Sequence, residues 1–386
     1  MKKFRYSMWG FCAVIVLGFS VHSSDAQRQG DRIISPEVLE NGRVCFRISA
    51  PKAESVTLQS GEIQTVLENP VMAFTRDENG VWSLTLGPLP PGIYDYQFNI
   101  DGVVNTDPAS PFVFGNRQGS RGYVEVPGEP GKPRHDEWRN VPHGAMTMHW
   151  YESSAADGQR RRIHVYTPPG YFENGERSYP VLYLLHGAGD NDSHWMWMGR
   201  ANVIADNCIA DAKAVPMIIV MPDGHVPVRQ HEGEDRQAYR QRANDAFEND
   251  MLHEIMPLVE TCYRIQKDRQ HRAIVGLSMG GGQSLRVGLN NLDRYAWVGG
   301  FSASARGLDA VLEKLSVDVQ KTNEQLKLLW IAIGKDDFLL QQNHQFVKAL
   351  KDHKIRHTYT ETEGKHQWSV WRRYLAEFLP MLFHSS

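Results

Sequence analysis

The segment Ala273-Ile274-Val275-Gly276-Leu277-Ser278-Met279-Gly280 constrains this chain more than any other, because it sets Gly-x-Ser-x-Gly directly after an apolar run. Ala273 to Val275 reads as a short buried strand, and Gln283 to Leu289 as the helix that follows it. A strand that turns at once into a helix forces the residue at the turn into a strained conformation. Glycine two positions to either side leaves room for the close backbone approach this requires. The hydroxyl of Ser278 is thereby pushed out of the sheet, in the form of a nucleophile elbow.

Two downstream segments supply the partners such a serine needs, in the order serine, acid, histidine. Leu328 to Ile333 is an apolar strand ending in Gly334-Lys335-Asp336-Asp337, and a carboxylate at a strand's carboxyl end can reach an imidazole. Gly364-Lys365-His366-Gln367-Trp368 precedes the amphipathic run Val370 to Phe383, which reads as a final helix and leaves His366 in a loop. Upstream, Val181 to Leu185 leads into His186-Gly187-Ala188-Gly189, a turn that can offer donors to an oxyanion. The backbone N–H groups of Ala188 and Met279 are the candidates.

With Val165-Tyr166-Thr167-Pro168-Pro169-Gly170-Tyr171 placed ahead of them, these motifs come in an order that resembles the esterase D-like, feruloyl-esterase-type branch (carbohydrate esterase family 1) of the α/β-hydrolases. The resemblance runs from about Thr147 to Phe383. It implies a carboxylic ester hydrolase with Ser278 as nucleophile, His366 as general base and an aspartate orienting the imidazole. Asp337 matches the family's Gly-x-x-Asp placement, and Asp336 is the alternative. The family pattern makes His186 a structural residue of the oxyanion turn. Trp195 and Trp197, which follow that turn, are candidates for a substrate-stacking wall or are simply packed. Family members include feruloyl and acetyl xylan esterases, S-formylglutathione hydrolases, siderophore esterases and mycolyl transferases, so the resemblance narrows the reaction more than the substrate.

The region before this domain has a different rhythm. Val44 to Ile48, Ser55 to Leu58, Val81 to Leu86 and Tyr94 to Ile100 read as short alternating strands, punctuated by Asn41-Gly42, Asn79-Gly80, Pro90-Pro91-Gly92 and Asp101-Gly102. No helical pattern interrupts them, and Trp82 is read as core. Gly80-Val81-Trp82, Pro91-Gly92-x-Tyr94-x-Tyr96 and Asp101-Gly102 resemble the immunoglobulin-like domain in front of starch-branching enzymes, grouped with carbohydrate-binding module 48. The fold class expected is therefore an α/β-hydrolase domain preceded by a smaller all-β immunoglobulin-like sandwich. The boundaries expected are a signal peptide at 1–26, the sandwich at 27–128, a Pro-, Gly- and charge-rich linker at 129–145 and the esterase domain at 146–386. Within the last, the polar tract His225 to Ala246 is read either as a substrate-selecting lid loop or as a solvated charged excursion, before a helix from Phe247 to Cys262.

Charge and cysteine usage exclude several classes. The 42 basic and 45 acidic residues are mixed along the chain, with no footprint for nucleic acid. Met1-Lys2-Lys3-Phe4-Arg5, the apolar run Met8 to Val21 and Ser24-Asp25-Ala26 form the three parts of a secretory signal, with cleavage after Ala26. The product would be secreted or periplasmic, without a stable membrane span. Cys45, Cys208 and Cys262 would remain; an odd number allows at most one bridge, for which Cys208 and Cys262 are a candidate pair, and otherwise buried thiols are expected. His353 and His357 lack the neighbouring Glu of a zincin helix, so no metal and no cofactor are expected.

Together these readings predict a secreted serine carboxylesterase acting on ester-substituted plant cell-wall polysaccharide or oligosaccharide, with feruloyl or acetyl groups on xylan as the acyl donors. A siderophore esterase of the enterobactin type and a non-catalytic glycan-binding protein are the alternatives.

Overall fold

Val181–Leu185, Ile218–Pro222, Arg272–Gly276 and Trp297–Phe301 are strands in which every residue is buried. Short, almost wholly apolar runs of this kind need cover on both faces, which a parallel sheet between two helical layers provides. The computed structural model describes residues 33–173 and 175–384, and the expected signal segment lies outside them. In it these four strands are the centre of an eight-stranded sheet. The order across the sheet is Ala145–Ser153, Gln159–Thr167, Ile218–Pro222, Val181–Leu185, Arg272–Gly276, Trp297–Phe301, Leu328–Gly334, Thr358–Thr362. The first three pair antiparallel and the rest run parallel.

Alternation along a central strand divides the core in two. Val181, Tyr183 and Leu185 join a cluster with the helices Arg236–Asp250, Ser278–Asn290, Asp309–Ser316 and Leu340–Asp352, while Leu182 and Leu184 join one with Ala201–Ala210 and Trp368–Phe378. Because all the parallel strands point the same way, the loops after Leu185, Gly276, Gly334 and Thr362 emerge along one edge. That edge is where a ligand site forms in such sheets.

Residues 37–126 build two further sheets, one ordered Glu37–Val38, Val44–Ser49, Val81–Leu86, Thr75–Arg76 and the other Val56–Gln59, Gly92–Ile100, Gly119–Val126, Val113–Asn116. Phe46, Phe98 and Tyr96 fill the space between them, and the Phe46 and Tyr96 rings meet edge to face at 4.8 Å. The Tyr96 hydroxyl and Ser35 Oγ donate to the buried Asp107 carboxylate at 2.8 and 2.6 Å, so no polar group is stranded there. Trp82 is buried, its indole N–H donating to Ala50 O at 3.0 Å. A helix, Gly61–Val66, does interrupt the strands, contrary to expectation. Ser60 caps it by accepting the Ile63 N–H, and six residues are too few to leave a readable period.

The helix Arg236–Asp250 begins eleven residues before the expected start at Phe247. The Asp235 carboxylate accepts the N–H groups of Gln237 and Ala238 and sets the start. The helix buries only Phe247 and Asp250, so no apolar stripe announces it. It continues through a π-turn at Met251–Ile255 into Met256–Cys262. Cys45, Cys208 and Cys262 are all free thiols; the Cys208–Cys262 bridge does not form, and Cys262 is exposed rather than buried. Among the described residues no helix is long and apolar enough to cross a membrane.

The segment 129–145 is packed rather than free. Asp136 is buried between Arg134 at 2.8 Å and Arg372 at 2.7 Å, and Asn207 donates to the carbonyls of His135 and Glu137. The all-β domain also docks directly. Ile93, Phe114, Tyr123 and Met198 form a small buried cluster flanked by Trp197 and Trp368. Beside it Glu125 pairs with Arg200 at 2.6 Å.

Candidate active site

Ser278 is the first residue of the helix Ser278–Asn290 and sits at φ 52°, a left-handed conformation that costs a non-glycine residue energy. The strand before it is fixed by the Leu277 N–H donating to Leu185 O at 3.1 Å, and the turn after it by the Ser304 N–H donating to Ser278 O at 2.8 Å. A Cβ on Gly280 would lie 2.3 Å from His186 O, and one on Gly276 2.5 Å from Gly280 O. Neither position can hold a side chain while the turn keeps this shape.

His366 lies between the serine and the acid. Its Nε2 is 2.9 Å from Ser278 Oγ, and its Nδ1 is 2.8 Å from Asp337 Oδ2. The other Asp337 oxygen accepts the Leu339 N–H at 2.8 Å, so the carboxylate is held at both ends and buried. Asp336 is exposed on the rim, its N–H donating to Gly364 O. Between the two acids that the sequence left open, the geometry brings Asp337 to the imidazole. This arrangement can pass a proton from hydroxyl to imidazole while the carboxylate fixes the ring's tautomer.

Ala188 borders the cavity in front of Ser278, and Met279 is the second residue of the helix, where backbone N–H groups have no partner within the helix. The Ala188 turn is held from two sides. His186 accepts the Gly224 N–H on Nε2 at 2.9 Å and bonds Gly187 O through Nδ1 at 2.8 Å. From the all-β domain, the Arg117 N–H donates to Gly189 O at 3.1 Å, and Asn191 donates to Gly115 O at 2.8 Å.

The cavity holds about 570 Å³. Trp195 and Trp197 do not line it. Trp195 is 1% exposed, its indole N–H spent on Leu185 O at 2.9 Å, and Trp197 packs in the seam between the domains. The aromatic wall consists instead of Phe338, Trp368 and Trp371. Phe338 is 75% exposed yet stands 4.3 Å from the His366 ring, so a large apolar face lies open beside the imidazole. No residue of the 225–246 tract borders the cavity among the described residues; Gly61, Glu62, Thr65, Asp95 and Arg121 of the all-β domain do. Withdrawal from water pushes the Glu62 carboxyl up to about 7, with Arg372 opposing and Asp95 adding to the rise. Burial likewise raises Asp190 to about 7.

Sequence reasoning missed both parts of that wall. Phe338 and Trp368 adjoin residues already singled out, and their position in the chain was a usable signal. Glu62, Asp95 and Arg121 gave none, because their role depends on how two domains dock.

Comparison with known proteins adds an independent line. The family model Esterase matches residues 154–382. The chain is 30% identical over 358 residues to an endo-1,4-beta-xylanase/feruloyl esterase of Xylanibacter ruminicola, covering 90% of this chain and 46% of that protein. The chain thus spans about half the length of that relative. It is 25% identical over 228 residues to an acetyl esterase of Caldicellulosiruptor saccharolyticus, covering 51% of this chain and 80% of that one. Among solved structures, a ferulic acid esterase superposes with a TM-score of 0.52 at 26% identity, over 62% of this chain and 97% of its own. The enterobactin esterase of Shigella flexneri shares the fold over 88% of this chain and 92% of its own, with a TM-score of 0.61 at 17% identity.

Proposed function

We propose that this chain, which belongs to the Esterase family, is an exported serine carboxylesterase that removes feruloyl or acetyl groups from plant cell-wall polysaccharide. The observation that carries the reading is the unbroken chain of contacts from Ser278 Oγ through His366 to the buried Asp337, at the mouth of a cavity with an open aromatic wall. In this mechanism Ser278 Oγ attacks the ester carbonyl as His366 Nε2 takes its proton. The N–H groups of Ala188 and Met279 hold the oxyanion, and as the intermediate collapses and the acyl C–O bond breaks the imidazolium gives the proton to the departing sugar oxygen, which leaves as a hydroxyl. Water then repeats the sequence on the acyl-enzyme.

Phe338 and the partly exposed Trp368 offer stacking area suited to a planar acyl group, which favours feruloyl over acetyl. The likeness to a xylanase/feruloyl esterase supports the same choice. The all-β domain, read as an immunoglobulin-like relative of carbohydrate-binding module 48, and the expected signal at 1–26 fit work on an extracellular glycan. A catechol trilactone of the enterobactin type is the rival substrate, because the fold shared with a solved enterobactin esterase spans both domains.

The test is product analysis with feruloylated xylo-oligosaccharide, acetylated xylan and enterobactin in parallel. Ferulate release at the highest kcat/KM is expected. Preferential release of acetate would move the assignment to a deacetylase, and preference for the trilactone would overturn the polysaccharide reading.

A further inference from the structure

An ester has two halves, and the cavity around Ser278 has two kinds of wall. One is aromatic and belongs to the α/β domain; the other is charged and belongs to the all-β domain. Glu62 projects from the helix Gly61–Val66, Asp95 from the strand Gly92–Ile100 and Arg121 from its neighbour Gly119–Val126. Asp95 and Arg121 form an ion pair through Oδ2 and Nε, both side chains about a fifth exposed (23% and 19%). Glu62 lines the same cleft, its carboxyl lying against the backbone N–H groups of Trp368 and Ser369 at the start of the last helix.

This wall is preformed. The Arg117 and Asn191 bonds to and from the Ala188 turn, and the Arg200–Glu125 pair, fix the all-β domain against the loop that borders the serine. The chemistry of the wall selects among ligands. An anion would meet Glu62, Asp95 and Asp190; a cation would meet Arg121 and Lys365. A planar apolar group finds no ring among Gly61, Glu62, Thr65, Asp95 and Arg121. A neutral polyhydroxyl group suits a carboxylate beside a guanidinium, since each hydroxyl both donates and accepts.

We propose that Glu62, Asp95 and Arg121 form a subsite for the hydroxyl-rich alcohol half of the ester, so that the all-β domain reads the sugar bearing the acyl group. This rests on the esterase reading above and adds to it that the domain completes the catalytic cleft instead of tethering the enzyme elsewhere on the glycan. The residues bind and orient the leaving group; the proton transfers stay with His366.

The test compares kcat/KM for feruloylated xylo-oligosaccharide with kcat/KM for methyl ferulate, in the wild type, in Glu62→Gln and in the double variant Asp95→Asn/Arg121→Gln. The double variant removes both charges together, so neither partner is left as a lone charge, and thermal unfolding confirms that it folds. Measured at pH 8, where Glu62 has lost its proton, the ratio of the two specificity constants is expected to fall about tenfold, carried by KM for the oligosaccharide, as for loss of one charge-assisted hydrogen bond. A ratio unchanged within about twofold in both variants, including a loss shared equally by both substrates, would overturn the subsite. If the wild type hydrolyses neither ester, the esterase reading itself fails and takes the subsite with it.

Discussion

Replacing Asp337 by Asn separates the acid that orients His366 from the one beside it. The Asp337 carboxylate accepts the Leu339 N–H on one oxygen and faces His366 Nδ1 on the other, each at 2.8 Å. An asparagine keeps its carbonyl toward Leu339 and turns its NH₂ toward Nδ1. Nδ1 must then accept, so the ring's proton moves to Nε2, facing Ser278 Oγ at 2.9 Å. That nitrogen can no longer take the serine proton. The loss expected in kcat is about 10⁴-fold, or about 5 kcal/mol of transition-state stabilisation, with the fold intact because shape and the Leu339 bond persist. Asp336→Asn alters only an exposed rim carboxylate, and its kcat should stay within about threefold of wild type. The assay is steady-state hydrolysis of 4-nitrophenyl acetate with thermal unfolding run alongside. If Asp337→Asn kept a tenth or more of kcat, or if Asp336→Asn were the more damaged, the assignment of the acid would be wrong.

Other consequences are equally direct. Phe338→Ala removes the open ring beside His366; kcat/KM for methyl ferulate should fall about tenfold while that for 4-nitrophenyl acetate changes less than about threefold, and an equal fall would refute an acyl-stacking role. Asn191→Ala cuts the bond from the Ala188 turn to Gly115 O, so kcat should drop about three- to tenfold with KM little changed; an unaltered kcat would show that the docked domain does not steady the turn. Glu62 holds its proton up to about pH 7 in the folded chain, whereas unfolded it ionises near its ordinary 4.5. With the folded pKa raised, stability is lost as pH climbs from about 4.5 to 7 and the loss stays constant above that. Glu62→Gln mimics the protonated form, so its Tm should match wild type at pH 5 and exceed it by about 2 °C at pH 8, after allowing for solvent screening. A gain at pH 5 equal to that at pH 8 would contradict this.

What was legible in the sequence was what is local. The elbow at Ser278, the acid after Gly334 and the histidine before the last helix each follow a strand or precede a helix with a clear period, so their places along one sheet edge could be argued from order alone. The helix Gly61–Val66 was too short to show a period, and Arg236–Asp250 too polar, its start set by the single carboxylate of Asp235. Trp195 and Trp197 follow the oxyanion turn in sequence but turn into packing, because the indole of Trp195 finds its acceptor at Leu185 O behind the site. The charged wall was least legible. Asp95 is one residue of a predicted strand and Arg121 lies on a strand, Gly119–Val126, that was not expected from the sequence; the docking of Phe114 and Tyr123 beside Met198 brings both to the cleft.

The central claim is that Ser278 is the nucleophile of an ester hydrolase. Its most direct test is the hydrolysis of methyl ferulate by the wild type and by Ser278→Ala, with both folds checked by thermal unfolding. Ferulate release by the wild type and a fall of at least about 10⁴-fold in the variant are predicted. A Ser278→Ala protein that still turns over the ester at the wild-type rate would contradict the account.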